Sequence, residues 1–289
     1  MKKAELVLHG DGSVYHLRLK PGDVAEIIFL VGDPARAKII STFFDEVELQ
    51  QSNREINTFT GYYNGKRMSV LSTGMGTDNI EIVVNELDAL FNIDFETKLP
   101  KQETVSVNLI RIGTSGGLQP DISVDNSYIV SKYGLGLDGL AYFYEKGPLV
   151  MERELTSSFI NQMEWDKDLP KPYAVKGSSK LLEIIGGNWR KGITLTAPGF
   201  YAPQGRELRL KVTDNTIIDR ARNFKYSGDQ VTNFEMETSA LYLLAAMLGH
   251  HAVTVCDIIA NRITGEFNQN YHASMERLIK EVLERATAL

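Results

Sequence analysis

The stretch Ile27-Ile28-Phe29-Leu30-Val31-Gly32-Asp33-Pro34-Ala35-Arg36-Ala37 decides the fold class. Its apolar run is too short for a helix and is cut off by glycine, so it reads as a strand buried on both faces. Asp33-Pro34 then opens a helix, because proline costs nothing in a first turn whose N–H groups lack partners anyway. Working outward, the same strand-then-glycine pattern recurs. Tyr62-Tyr63-Asn64-Gly65-Lys66-Arg67 carries the Asn-Gly signal of a tight hairpin, and the chain returns as a strand over about residues 68–73. After Gly74-Met75-Gly76, the residues Ile80, Val83, Val84, Leu87, Leu90 and Phe91 share one helical face. Asn108 to Ile112 reads as a strand ending in a glycine turn, Gly113-Thr114-Ser115-Gly116-Gly117. Further strands are predicted over residues 128–131, 174–177, 193–196 and 252–260, with helices over 236–248 and 274–288. Residues 92–104 and 161–171 read as solvated insertions, polar and containing proline. Strand and helix alternate along the chain. The expectation is one α/β domain over residues 1–289, with a mixed central sheet flanked by helices on both faces.

Composition limits what such a domain does. With 43% hydrophobic and 24% charged residues in a chain of 289, there is material for a substantial core. A net charge of −6 argues against nucleic acid as the main partner. No apolar run approaches the roughly 20 residues of a membrane span, and no signal-peptide pattern follows Met1-Lys2-Lys3, so a cytoplasmic protein is expected. The single cysteine, Cys256, rules out an internal disulfide and reads as a packed, inert thiol within a strand. None of His9, His16, His250, His251 and His272 has a partner at helical ligand spacing, so no metal is expected.

Two motifs are decoys. Gly134-Leu135-Gly136-Leu137-Asp138-Gly139 matches a dinucleotide fingerprint, but no helix follows to face a pyrophosphate, and a flexible loop is the plainer reading. Gly113-Thr114-Ser115-Gly116-Gly117 matches a nucleophile elbow without the helix that must follow the serine.

The remaining pattern is a set of cations and amides at strand ends. Arg111 stands inside the apolar run Val107-Asn108-Leu109-Ile110-Arg111-Ile112, where a guanidinium needs an anionic partner. Arg36 follows Gly32, Arg54 follows a polar turn, and Thr114 offers a hydroxyl beside glycines that allow close backbone approach. Together these compose an oxyanion pocket suited to phosphate. Asn233-Phe234-Glu235-Met236-Glu237 places two carboxylates at a strand–helix junction, either as helix N-terminal charge or, for Glu237, as a holder of sugar hydroxyls. Phe200, Gln204 and Arg206 combine an aromatic, an amide and a guanidinium, a set suited to the edge of a heterocycle.

The ordered set Gly-Asp-Pro-x-Arg at 32–36, Arg-x-Gly-Thr-Ser-Gly at 111–116 and Glu-Met-Glu at 235–237 resembles the nucleoside phosphorylases, the family of uridine phosphorylase and hexameric purine nucleoside phosphorylase. The match runs over about residues 14–265, and Val14-Tyr15-His16-Leu17 is similar to the N-terminal segment of the uridine enzymes. The resemblance implies phosphate binding by Gly32, Arg36, Arg111 and Thr114, with Arg54 contributed by a neighbouring subunit. It implies ribose binding by Met236 and Glu237, with His16 reaching the 5′-hydroxyl across a subunit boundary. Gly116, Phe200, Gln204, Arg206 and Arg262 would hold the base, with Arg111, Gln204 and Arg206 carrying the catalytic load. Residues 258–262 lack the aspartate of the purine enzymes, and Asp257 falls three positions early. Pro203 stands where the resemblance leads one to expect glycine. The implied reaction is reversible phosphorolysis of uridine to uracil and ribose 1-phosphate by a homo-oligomer, a dimer or trimer of dimers, with inorganic phosphate as co-substrate and no cofactor. A purine nucleoside phosphorylase, a nucleoside hydrolase and a non-catalytic nucleoside-binding protein are the alternatives.

Overall fold

The computed structural model of the chain describes residue 2 and residues 4–289. Strand β1 (Ile27–Val31) leads into α1 (Pro34–Ser41), where the Asp33 carboxylate caps the helix by accepting from the Ala35 N–H at 2.8 Å. The antiparallel strands β2 (Glu46–Asn53), β3 (Ile56–Tyr63) and β4 (Lys66–Ser72) follow, β3 and β4 joined through Asn64-Gly65, as the hairpin signal predicts. Helix α2 (Thr77–Asn92) ends in a two-residue ladder, β5 (Ile93–Asp94) with β6 (Leu99–Pro100). Strands β7 (Asn108–Gly117) and β8 (Tyr128–Gly136) precede the short helix α3 (Gly147–Val150) and α4 (Arg153–Gln162). After β9 (Tyr173–Lys176) come α5 (Ser179–Ile184), β10 (Arg190–Thr196), α6 (Ile217–Asn223), β11 (Lys225–Tyr226) and β12 (Asp229–Glu235). The chain closes with α7 (Thr238–Leu248), β13 (His251–Asn261) and α8 (His272–Ala286).

The sheet runs β11-β12-β10-β8-β13-β7-β1-β4-β3-β2, with β9 added beside β8. It is mixed, as expected: β1 is parallel to β4 and β7, whereas β8 is antiparallel to β13. A second pairing of β12, antiparallel through Asn233 and Phe234 onto Gly117 and Gly116, closes β7-β13-β8-β10-β12 into a ring. Side-chain alternation along β1 shows why helices cover both faces. Ile28 and Leu30 meet Ile80, Val84 and Leu87 of α2 and the apolar run of α7. Ile27, Phe29 and Val31 meet Ala37 and Ile40 of α1 and Leu278, Ile279 and Val282 of α8. No helix among the described residues is long and apolar enough to cross a membrane.

Three local expectations are corrected. The glycines at 113–117 do not turn; they continue β7 to its end. A Cβ at Gly113 would lie 2.2 Å from the Arg111 guanidinium, so glycine there gives the arginine room to fold back along its own strand. Gly134 and Gly136 likewise belong to β8, pressed against Ser239 and Tyr173, and are not a flexible loop. The helix expected from residue 236 begins at Thr238, because Met236 and Glu237 turn toward the site.

Candidate active site

Strands β1, β4, β7, β10, β12 and β13 deliver their C-terminal ends to one cavity of about 830 Å³, the usual location for a site in an α/β sheet. Gly32, Arg36, Arg111, Thr114, Gly116, Phe200, Gln204, Arg206, Met236, Glu237 and Arg262 all line it. Sequence spacing separates these residues by up to 230 positions, and strand order brings them together.

The two arginines of the anion end differ in electrostatic state. Arg111 is buried, its guanidinium bonded to the Glu237 carboxylate and 3.3 Å from that of Glu235. Burial pushes this guanidinium toward losing its proton, but Glu237 and Glu235 overcome that and hold the charge on. Arg36 is buried too, yet among the described residues its side chain's one hydrogen bond is to the carbonyl of Ile112 at 3.3 Å. No carboxylate among the described residues pairs with it. Burial, and then the positive charge of Arg111, push the Arg36 guanidinium below its usual range. Asp33 and Asp257 act on this cation from beyond ion-pair distance. A buried cation without a directly bonded counter-charge is costly, and an anion in the cavity beside Gly32 and Thr114 would offset that cost.

Glu235 and Glu237 divide the two roles open to them. Glu235 accepts from the N–H groups of Glu237 and Thr238 and from the Thr196 hydroxyl at 2.7–3.1 Å, so it neutralises the start of α7. Glu237 enters the cavity, bonded to Arg111 and to the N–H of Gly76 at 2.8 Å. The φ of +99° at Gly76, which favours glycine, is what turns that N–H toward the carboxylate. Burial pushes the Glu237 carboxyl up while Arg111 pulls it down.

At the other end, residues 202–204 form one tight turn that Pro203 enters in its first positions and Gly205 closes in the left-handed region. Proline is therefore compatible with the loop path. The Arg206 guanidinium lies 3.8 Å over the Phe200 ring and donates to the Phe200 carbonyl at 2.8 Å and to Gln204 Oε1 at 2.6 Å. Arg262 donates to the Gln204 carbonyl at 2.9 Å, and its stem passes the Cα of Gly116. Burial, and then the charge of Arg262, push the Arg206 guanidinium down to about 10. Because Gln204 Oε1 is committed to Arg206, the amide N–H groups are left to donate.

His16 and Arg54 do not line the cavity of their own chain. They lie together on the surface: Asn53 donates to the His16 carbonyl at 2.7 Å, and the Arg54 guanidinium sits 5.9 Å from the centre of the Tyr15 ring. Asp257 also lies outside the cavity, accepting from the Ser274 hydroxyl at 3.0 Å. Cys256 is fully buried, and burial pushes its thiol up to about 12, which suits the inert role expected of it. Ser115 lines the cavity, but its hydroxyl accepts from Asn233 at 2.9 Å, so it serves the β7–β12 closure. Sequence reading missed Glu55, Met75, Phe234 and residues 259–261 and 265–267 as lining residues. Gly74-Met75-Gly76 was the available signal for Met75, a glycine-rich strand end like those that supplied the rest.

A family model for the phosphorylase superfamily matches residues 26–289. The chain belongs to that superfamily. It is 33% identical to a uridine phosphorylase of Thermococcus kodakarensis over 264 residues, 90% of this chain and 81% of the relative. It is 32% identical to a DeoD-type purine nucleoside phosphorylase of Caldanaerobacter subterraneus over 259 residues, 87% of this chain and 89% of the relative. Among solved structures, a Trypanosoma brucei nucleoside phosphorylase described as showing uridine phosphorylase activity superposes with a TM-score of 0.86. That match covers 98% of this chain and 100% of the other at 28% identity. A uridine phosphorylase of Phytophthora capsici, at 23% identity and a TM-score of 0.71, shares the fold. The protein is therefore a nucleoside phosphorylase-family enzyme on a single α/β domain with a mixed central sheet.

Proposed function

We propose that the enzyme carries out reversible phosphorolysis of uridine, giving uracil and ribose 1-phosphate in pyrimidine salvage in the cytoplasm. The observation that supports this reading is one cavity with two unlike ends: a buried arginine without an ion-pair partner among the described residues, and a Gln204–Arg206–Arg262 cluster of donors. Arg36, Arg111, Gly32 and Thr114 hold inorganic phosphate beneath C1′, so that a bimolecular attack becomes a positioned one. A phosphate oxygen forms the bond to C1′ as the C1′–N1 bond breaks, and its electron pair leaves on the base. Arg206 and the Gln204 amide stabilise the uracil anion, a role like that of an oxyanion hole. Glu237 and Met236 hold the ribose, and the Glu237–Arg111 bond ties sugar to phosphate. Gly116 and Phe200 complete the base end. In this reading phosphate is the co-substrate, and the steps use no metal or other cofactor.

The surface position of His16 and Arg54 supports a homo-oligomer in which a second copy supplies both, His16 to the 5′-hydroxyl and Arg54 to phosphate. The deciding experiment follows uracil release from uridine with and without phosphate, beside inosine and thymidine. Cleavage of uridine only with phosphate is expected. Cleavage without phosphate would make the enzyme a hydrolase, and preference for inosine would overturn the base assignment.

A further inference from the structure

Glu86 lies on α2 and does not line the cavity, yet its carboxylate gathers the backbone N–H groups of one short N-terminal turn. It accepts from the backbone N–H of His16 at 2.9 and 3.0 Å and from that of Leu17 at 2.9 Å. It also lies 2.6 Å from His16 Nδ1. Its side chain is only 16% exposed, whereas His16 is nearly twice as exposed at 30%. An ionised carboxylate can only accept hydrogen bonds, so a ring nitrogen at this distance must carry the proton. The neutral His16 ring is thereby held as the Nδ1–H tautomer, and Nε2 is left as its free acceptor. Asn53 clamps the same turn from the other side through the His16 carbonyl. Residue 53 directly precedes Arg54, so the turn carrying His16 and the turn carrying Arg54 are joined in one block.

We propose that Glu86 is a positioning residue for the nucleoside reaction. It fixes the tautomer and orientation of His16 so that Nε2 can accept from the ribose 5′-hydroxyl of a nucleoside in a second copy's cavity. The proposal rests on the cross-subunit role given to His16 above. A hydroxyl can donate to Nε2 only in this tautomer; with the proton on Nε2 the ring would have to accept at the nitrogen that faces Glu86. Glu86→Gln keeps the shape of the side chain but adds an N–H donor, which removes the demand for a proton on Nδ1.

The test compares kcat/KM for uridine with that for 5′-deoxyuridine in wild type, Glu86→Gln, His16→Ala and the double variant. Expected is a loss of about tenfold on uridine in Glu86→Gln, the scale of one hydrogen bond, with 5′-deoxyuridine within about twofold of wild type. The double variant should be no worse than His16→Ala alone. Equal losses on both substrates would mean that Glu86 only supports the fold, and would overturn the proposal. Nitrogen-15 spectra of the histidine rings, with His16 assigned by its absence in His16→Ala, give a second readout that needs no turnover. Protonation of Nδ1 with a bare Nε2 is expected, and a proton on Nε2, with or without one on Nδ1, would overturn the proposal. If wild type prefers inosine, the inosine and 5′-deoxyinosine pair replaces the uridine pair, so failure of the base assignment is distinguishable from failure of this one.

Discussion

Replacing Arg36 by Met should separate phosphate binding from folding. The substitution keeps the apolar stem and removes a buried guanidinium that bonds a carbonyl and has no carboxylate within ion-pair distance among the described residues, Asp33 and Asp257 acting on it only from further off. A hydrogen bond from a charged donor contributes about 1.5–3 kcal/mol, so losing Arg36 should raise the KM for phosphate roughly 12- to 150-fold. Stability without phosphate should hold or rise by about 1 kcal/mol, because the folded state no longer desolvates an uncompensated cation. Linkage sharpens the contrast. At a phosphate concentration of about 100 Kd, wild type gains about 2.7 kcal/mol, while a variant bound 100-fold more weakly gains only about 0.4 kcal/mol. Arg111→Met should behave in the opposite way. It strands Glu237 and Glu235 as neighbouring buried carboxylates and should cost about 3–5 kcal/mol even without phosphate. The assay is urea or thermal unfolding at one protein concentration, with and without phosphate, beside steady-state kinetics. A phosphate-induced shift in Arg36→Met equal to that of wild type would refute the assignment. So would a phosphate-free loss as large as that of Arg111→Met.

Arg206→Ala should lower turnover of uridine and erase its preference over inosine; unchanged selectivity in paired assays would count against the base-binding role. Glu237→Gln should raise the KM for nucleoside by about tenfold or more, the scale of a charged hydrogen bond, whereas Glu235→Ala should act mainly on stability, at about 1–3 kcal/mol, by leaving N–H groups at the buried start of α7 without an acceptor. Kinetics and unfolding on the two variants check that division. Burial raises the Asp257 carboxyl to about 6, above its unfolded value, so its contribution is fully present below pH 4 and is lost as pH rises through 6. Asp257→Asn, which can still accept from Ser274, should gain on the order of 1 kcal/mol relative to wild type between pH 4.5 and 7. A stability difference that does not change with pH would sink this account.

What could be read from the chain followed from how much each element's side chains share one environment. Strand β1 was legible because both of its faces are buried, leaving an unbroken apolar run. Strand β2, with the sequence Glu-Val-Glu-Leu-Gln-Gln-Ser-Asn, sits at the sheet edge with mostly exposed or half-buried residues, so no apolar alternation marks it. Strand β12 hides for the converse reason. Thr232 and Asn233 are buried but polar, because they bond to each other and to Ile193, Thr194 and Ser115 in the closure of the ring. The glycines at 113–117 misled as turn residues because their purpose is not conformational freedom. Gly113 clears space for Arg111, Gly116 leaves room for the Arg262 stem, and Gly117 for Ile122 and Ile258. The site was legible at the level of residue type, since an arginine in an apolar strand demands an anion wherever it occurs. The state of that arginine was not. Whether Arg111 is answered by Glu237 and Glu235, while Arg36 has no ion-pair partner among the described residues, depends on strands β7 and β12 meeting across more than 100 residues. The same limit hid Glu86, 70 positions from His16. Residues that act on substrate carry chemistry visible in their own type, whereas residues that position them are ordinary glutamates and asparagines until the fold shows what they face.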